Sequence, residues 1–401
     1  MPNPTQNRPA VLSRGGLAIK CVPDLGGRIM EFSLDGYNYL FVNPLLEGAK
    51  NDQPEPSWDG VWRNFGGEKI WPAPQGWDND RQWAGPPDKV LDGGFFTLVS
   101  ADENSFSTLS PICPRTGLRI ARTVSLLEGE CGARVEAEFE NFSEKDGEWS
   151  VWPVIQVAAP EDGRFAITFP EGGGYRIMHG LVNSPQYSRE GKNCRVDYQY
   201  IIGKVGADTG ADWWAAYADL KTGKVFAASA RYVEGAKYPG GTNVQIWSAG
   251  RGAVYSRGVL RIAPDDRAAN PPYMEIELLS PLEKMKKGAK TRFTYFMRAC
   301  TVPAGDTVKR IAGCAAVSRE LSAEVIAGGA ARVSARLGAF AQGYAILKNS
   351  KGKILSREEV SPSCGAEISA EIAQGQIGEN SEIILEYFNG GNKLTIGRIK
   401  L

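Results

Sequence analysis

Apolar and polar residues alternate with period two through much of this chain, and that alternation excludes most folds. Residues 134–140 read Arg-Val-Glu-Ala-Glu-Phe-Glu, and residues 291–297 read Thr-Arg-Phe-Thr-Tyr-Phe-Met. Residues 382–387, Glu-Ile-Ile-Leu-Glu-Tyr, alternate less cleanly. Successive side chains of a strand point to opposite faces, so such segments bury one row and leave the other wet. Gly (47 residues) and Pro (24 residues) interrupt the alternation at short intervals, as the turns of a sandwich or barrel require. Helix candidates are short; residues 307–321 are the best, as a helix or as a linker turn. The expected fold class is all-β.

The alternation changes character near residues 303–319. All ten tryptophans precede that stretch, the last being Trp247. Beyond it the chain is rich in Ala, Ser, Gly, Glu and Ile, and Phe340, Tyr344, Tyr387 and Phe388 are its aromatics. The expected organisation is a large β domain over 1–303 and a small β-sandwich over 320–401, with an accessory or packing role.

Bulk properties narrow the function. The 46 basic and 46 acidic side chains cancel, with no long run of like charge. Nucleic acid and membrane surfaces are therefore not expected partners, and no apolar stretch approaches the ~18 residues of a membrane span. The N-terminal residues lack the apolar core of a signal peptide, so the expected location is cytoplasmic, or periplasmic or secreted if a leader has been removed. The seven cysteines are scattered without a Cys-x-x-Cys pair, which argues for buried free thiols and against a zinc site. A single histidine, His179, excludes a His-rich metal centre. No metal and no cofactor are expected.

Five of the tryptophans, Trp58, Trp62, Trp71, Trp77 and Trp83, crowd into residues 57–88. That stretch holds too much Gly, Pro, Asn and Asp for a helix or a regular strand. Large flat apolar faces find a place either in the core or against the C–H faces of a sugar ring. Arg63, Asn64, Glu68 and Lys69 lie between the indoles and match the hydroxyls of such a ring. The Gly66-Gly67 pair permits a tight turn that would present Asn64 and Glu68 to one small volume.

Three further segments carry polar residues with strand spacing. In Val151-Trp-Pro-Val-Ile-Gln156, Trp152 and Gln156 share a face. In Asn243-Val-Gln-Ile-Trp247, Asn243, Gln245 and Trp247 share one face, and Val244 and Ile246 the other. In Tyr273-Met-Glu-Ile-Glu277, Glu275 and Glu277 share a face. Paired carboxylates raise each other's pKa, which suits one of them to general acid–base work; a solvated strand face is the plain alternative.

Taken in order, the segments Pro23-Asp-Leu-Gly-Gly-Arg-Ile29, Asn64-Phe-Gly-Gly-Glu-Lys-Ile-Trp-Pro-Ala-Pro74, Glu140-Asn-Phe-Ser-Glu-Lys145, Trp149-Ser-Val-Trp-Pro-Val154, Val244-Gln-Ile-Trp247 and Glu275-Ile-Glu-Leu-Leu-Ser-Pro281 resemble the galactose-mutarotase-like proteins of the aldose 1-epimerase superfamily. Within it they resemble a bacterial branch with a Gly-Gly-x-x-x-Trp-Pro-Ala-Pro loop. The resemblance covers residues 10–302. It implies a β-supersandwich with a sugar cleft on a concave face, with the segment 23–29 as the first strand. It also implies a mono- or oligosaccharide partner.

In that family a strand glutamate takes the proton of the anomeric hydroxyl and a histidine protonates the ring oxygen, with no cofactor. The glutamate maps onto Glu275, with Glu277 as second choice. The stretch that carries the histidine corresponds to residues 150–156, where this chain has Trp152 and Gln156, neither of which delivers a proton. The acid would then be His179, Glu68 or a tyrosine.

Three function classes stay open on these residues. The first is a sugar epimerase or mutarotase with Glu275, Glu277 and His179 as catalytic candidates. In it Arg63, Asn64, Glu68, Lys69, Trp71, Trp152, Gln156, Gln245 and Trp247 bind the sugar. The second is a carbohydrate-binding protein that lost the acid. The third is a structural β protein. A polysaccharide lyase that uses Arg63, Lys69 and Tyr273 is a further enzyme alternative.

Overall fold

The computed structural model describes residues 8–48, 62–76, 78–79, 81–256, 259–374 and 381–401. Trp58 and Trp77 lie outside these residues. The described residues form strands, turns and three short 3₁₀ turns, with no α-helix among them. The chain is all-β, as its alternation requires.

One large antiparallel sheet carries every strand singled out above for its polar face. In chain order its main strands are β1 (Ala10–Arg14), β2 (Leu17–Val22), β3 (Arg28–Leu34), β4 (Glu68–Ala73), β5 (Gly147–Ala158), β6 (Arg176–His179), β7 (Gly203–Ala207), β8 (Val244–Ser248) and β9 (Tyr273–Leu278). Their order across the sheet is β1-β2-β3-β4-β5-β9-β8-β7-β6. A second large sheet runs from Tyr187–Glu190 at one edge, through Phe165–Pro170, Trp214–Asp219 and Lys290–Thr301, to Thr97–Ala101 at the other.

The two sheets pack face to face through their apolar rows. Ile155, Ile276 and Ile246 lie opposite one another on β5, β9 and β8. They meet Ile120, Val135 and Met297 of the second sheet in one buried core. Each such side chain, fully buried, contributes about 1.5–3 kcal/mol. Because strand side chains alternate, burying this row commits the residues between them to the outer face of the larger sheet. That commitment creates the polar site.

Two expectations are corrected. Residues 307–321 hold no helix: Arg310–Ala312 pairs antiparallel with Ala315–Val325. Both faces of the second strand are covered at its start, residues 315–318. Ala315 and Val317 enter the core of the C-terminal sheets, while Ala316 packs beside Trp214, Val225 and Cys300 of the second large sheet. A strand apolar on both faces loses its alternation and reads like a helix segment. Residues 23–29 are not one strand either. Pro23–Leu25 is a 3₁₀ turn, Gly26 and Gly27 have φ of 69° and 61°, and β3 begins only at Arg28.

Two four-stranded sheets occupy the C-terminal region. One contains Ala315–Val325, Ala331–Ala339 and Ala366–Ile372; the other contains Gly343–Asn349, Glu382–Asn389 and Asn392–Lys400. They close on a core of their own that includes Val333, Leu337, Leu347, Ile368, Leu385 and Tyr387. The seven cysteines are free thiols. No helix among the described residues is long and apolar enough to cross a membrane.

Candidate functional site

The outer face of the larger sheet gathers polar side chains from six adjacent strands. Its backbone register defines two cross-strand rows. One runs Lys69, Val154, Glu277, Gln245, Gly206 and Arg176 across β4, β5, β9, β8, β7 and β6. The other runs Gln156, Glu275, Trp247, Lys204 and His179. Residues distant in sequence thus become neighbours at the ~4.8 Å spacing of paired strands.

The two carboxylates have different partners. Oε2 of Glu277 accepts two hydrogen bonds, from Trp152 Nε1 at 2.9 Å and from Lys204 Nζ at 2.8 Å. Oε1 of Glu275 accepts one, from Gln156 Nε2 at 2.7 Å, and has Lys69 Nζ 3.9 Å away. Lys69 has no hydrogen-bond partner for its buried ammonium among the described residues, and Gln156 Oε1 likewise has none. The lysines also lie over indole rings: Lys69 is 4.8 Å from the centre of Trp71 and Lys204 is 5.0 Å from that of Trp152.

Burial decides the electrostatics. The Lys69 and Glu275 side chains are 1% and 8% exposed. Removal from water pushes the Glu275 carboxyl above its ordinary value; Lys69 opposes this and Glu277 adds to it. Burial likewise pulls the Lys69 ammonium down, against the attraction of Glu275. Exposure rises toward β6: Trp247 of β8 and His179 of β6 are half-buried, so the site opens on that side.

The tryptophan-rich segment covers the other end; it was expected to hold no regular strand, but its residues Glu68–Ala73 form β4, paired with β5. Trp71, Trp83 and Trp152 form a mutually packed cluster, with Trp71 centred 4.9 Å from Trp83 and 5.5 Å from Trp152. Asp92 ties the loop to the sheet: it accepts from Trp62 Nε1 at 2.8 Å, Trp71 Nε1 at 2.9 Å and Arg28 Nη2 at 2.5 Å. Trp83 is fully buried and donates to Asp88. These indoles pack against one another, which makes the cluster the wall of the site.

The structure brings together Glu275, Glu277, Lys69, Trp71, Trp152, Gln156, Gln245 and Trp247 from the sequence-derived set. Gln245 is held by a 2.7 Å bond from its amide to Thr242. Asn243 also bonds locally, to Thr209. Tyr273 is stacked on Phe41, with ring centres 4.8 Å apart.

Four candidates stand elsewhere. Glu68 was expected to face the same volume as Asn64, but strand alternation puts it opposite Lys69, in the core between the sheets. There Arg122 Nη1 donates to it at 2.7 Å and Tyr295 OH at 2.5 Å. Asn64 closes its own turn by accepting from the Gly66 N–H at 3.3 Å. Gly66 has φ of 96°, and a Cβ there would lie 2.1 Å from the Phe41 carbonyl oxygen, so only glycine fits. Arg63 lines a small recess with Trp62, Phe65 and Asp92. His179 is on edge strand β6, three strands from Glu275 or about 14 Å of sheet. Its Nε2 is 2.8 Å from the Ala253 carbonyl oxygen and its ring stacks on Trp247. It belongs to the rim of the site.

Lys204 and Asp92 escaped the sequence reading. Lys204 sits in Gly203-Lys-Val-Gly-Ala207, where a charged residue between small ones was the available signal. Asp92 had no signal, because its partners come from residues 28, 62 and 71. Among the described residues no group of three His, Cys, Asp or Glu side chains could hold a metal.

No protein-family model and no curated protein sequence matches this chain. Solved structures of similar fold include a galactose mutarotase related enzyme of Lactobacillus acidophilus, at 10% identity and a TM-score of 0.48 over 73% of this chain and 98% of the other. An Escherichia coli K12 protein provisionally described as an aldose 1-epimerase is 13% identical, with a TM-score of 0.47 over 73% of this chain and 99% of its own. A galactose mutarotase-like protein of Lactobacillus casei is 10% identical, with a TM-score of 0.45 over 73% and 100%.

Proposed function

We propose that this protein binds a saccharide on the outer face of the larger sheet and acts on its anomeric centre, with Glu275 as general base. The observation that carries this reading is the contrast within the carboxylate pair. Glu277 accepts hydrogen bonds from two donors, whereas Glu275 has one hydrogen bond and a raised affinity for protons. A pair of carboxylates in unequal environments divides into a fixed charge and a group that exchanges protons. The amides of Gln156 and Gln245 and the half-buried indole of Trp247 suit the hydroxyls and C–H face of a sugar ring.

Ring opening at the anomeric carbon needs no cofactor. A base removes the proton of the anomeric hydroxyl, the bond from that carbon to the ring oxygen breaks, and closure on the other face gives the second anomer. Binding without turnover is the second reading, supported by Gln156 and Trp152 standing where the resembled family places its histidine.

Two measurements test the proposal. Tryptophan fluorescence should respond to a neutral or uronic mono- or oligosaccharide, and magnetisation-exchange NMR should show faster anomer interconversion than in buffer. Substitution Glu275→Gln should abolish the acceleration and leave binding within a few fold. Silence toward every saccharide in the panel would sink the proposal.

A further inference from the structure

The site has a base and needs a proton donor, and its side chains leave few candidates. His179 is three strands away with its Nε2 directed at a backbone carbonyl. Lys204 is committed to Glu277 at 2.8 Å. Trp152 and Gln156 hold no acidic proton, and Tyr273 is packed against Phe41. Glu68 faces the other side of the sheet. Lys69 differs from all of these: its buried ammonium has no hydrogen-bond partner among the described residues and lies 3.9 Å from Glu275 Oε1.

We infer that Lys69 is the proton donor of this site, working with Glu275 across the anomeric centre of a cyclic aldose. The inference rests on the saccharide reading above. In the opening step Glu275 takes the proton of the anomeric hydroxyl as the carbonyl forms. The bond between the anomeric carbon and the ring oxygen breaks, and Lys69 delivers a proton to that oxygen. Rotation of the aldehyde and closure on its other face return one proton to Lys69 and the other to the anomeric oxygen. Nothing is oxidised or reduced, and both side chains end as they began.

A donor must give up its proton at moderate pH and recover it. Burial lowers the Lys69 ammonium in that direction. The charged groups facing it are Glu275 of β9, Arg28 of β3 and Asp92 of the loop, with Glu68 beside it in the chain. Arg28 adds to the lowering and the three carboxylates oppose it. An ordinary exposed lysine would hold its proton too tightly for the task.

The test uses the full chain with freshly dissolved α-D-glucose and α-D-galactose, following anomer exchange by NMR and binding by tryptophan fluorescence. Lys69→Met should slow catalysed exchange by about 100-fold or more, the scale of one lost general acid, and leave binding within a few fold. Lys69→Arg should be as slow, because guanidinium keeps its charge and does not release a proton. The unsubstituted protein adds a readout that needs no variant: after subtraction of the buffer rate, its exchange should decline on the alkaline side as Lys69 loses its proton.

Exchange that survives in Lys69→Met, or an alkaline limb that stays flat, overturns the inference and leaves the saccharide reading standing. Sugar binding with no exchange in the unsubstituted protein also overturns it, in favour of binding without turnover. Absence of binding to any saccharide overturns both.

Discussion

Lys69 shares a cross-strand row with Glu277, yet its ammonium is beside Glu275, 3.9 Å from Oε1. The mirror relation holds on the other side: Lys204 shares the row of Glu275 and bonds Glu277. Each lysine therefore reaches diagonally, and the four side chains form a crossed, charge-balanced set on a buried face. A buried charge is tolerated when an opposite charge is close, and removing one member exposes the rest to the full cost of desolvation.

The first prediction concerns pH. Burial pulls the Lys69 ammonium down from its ordinary value of 10.5 to about 7, against the attraction of Glu275. Between these values the unfolded chain binds more protons, so this group makes stability rise with pH through that window. Below about 7 both states are protonated and the gain is gone. Lys69→Met should remove this contribution, worth a slope difference of up to ~1.4 kcal/mol per pH unit within the window. Urea unfolding at intervals from about pH 6 to about pH 9 measures it; parallel stability curves for the two proteins would contradict the assignment.

Glu68 gives the second. Its bonds with Arg122 and Tyr295 lie between the sheets, so its role is structural. Glu68→Ala leaves a buried guanidinium uncompensated and should cost about 3–5 kcal/mol. Tyr295→Phe removes one bond to a carboxylate and should cost about 1.5–3 kcal/mol while sugar titrations keep their midpoint. A weakened sugar response in Tyr295→Phe at unchanged stability would return this network to the binding site.

Asp92 gives the third. It joins Arg28 and Trp71 of the sheet to Trp62, which precedes β4, and it is 2% exposed. Asp92→Ala should destabilise by about 3–5 kcal/mol, because Arg28 loses its counter-charge within the core. Tryptophan emission should shift to the red as water reaches the indoles. Loss below ~1 kcal/mol, the scale of an exposed ion pair, would show that the loop is held otherwise.

Trp247 gives the fourth. It is half-buried beside Glu275 and stacked by His179 at 5.6 Å between ring centres. Trp247→Ala should weaken saccharide binding about tenfold, equivalent to ~1.4 kcal/mol. His179→Phe retains the stack and should bind sugar within about threefold of the parent, under ~0.7 kcal/mol on the same scale. An unaltered sugar affinity in Trp247→Ala would move the ligand off this face.

Much of the site was legible in the chain because strand geometry is local. Period two places Trp152 with Gln156, Gln245 with Trp247 and Glu275 with Glu277, and the fold keeps each pair on one face. The same rule separates Glu68 from Lys69, but a short segment read alone does not say which of its faces is the core. The covered strand at 315–325 hid its alternation for a related reason: both of its faces are buried near its start.

By itself the sequence determined the all-β class, the turns, and which residues of each strand keep company, since these depend on backbone sterics and near-neighbour spacing. Only the tertiary structure decided which strands lie side by side. That choice brought Lys69 to Glu275, Lys204 to Glu277 and Asp92 to two indoles, and it sent Glu68 inward and His179 to the rim. The physical reason is that pairing between distant strands is selected by the burial of whole apolar rows, such as Ile155, Ile276 and Ile246. The polar residues between them arrive together because those rows do.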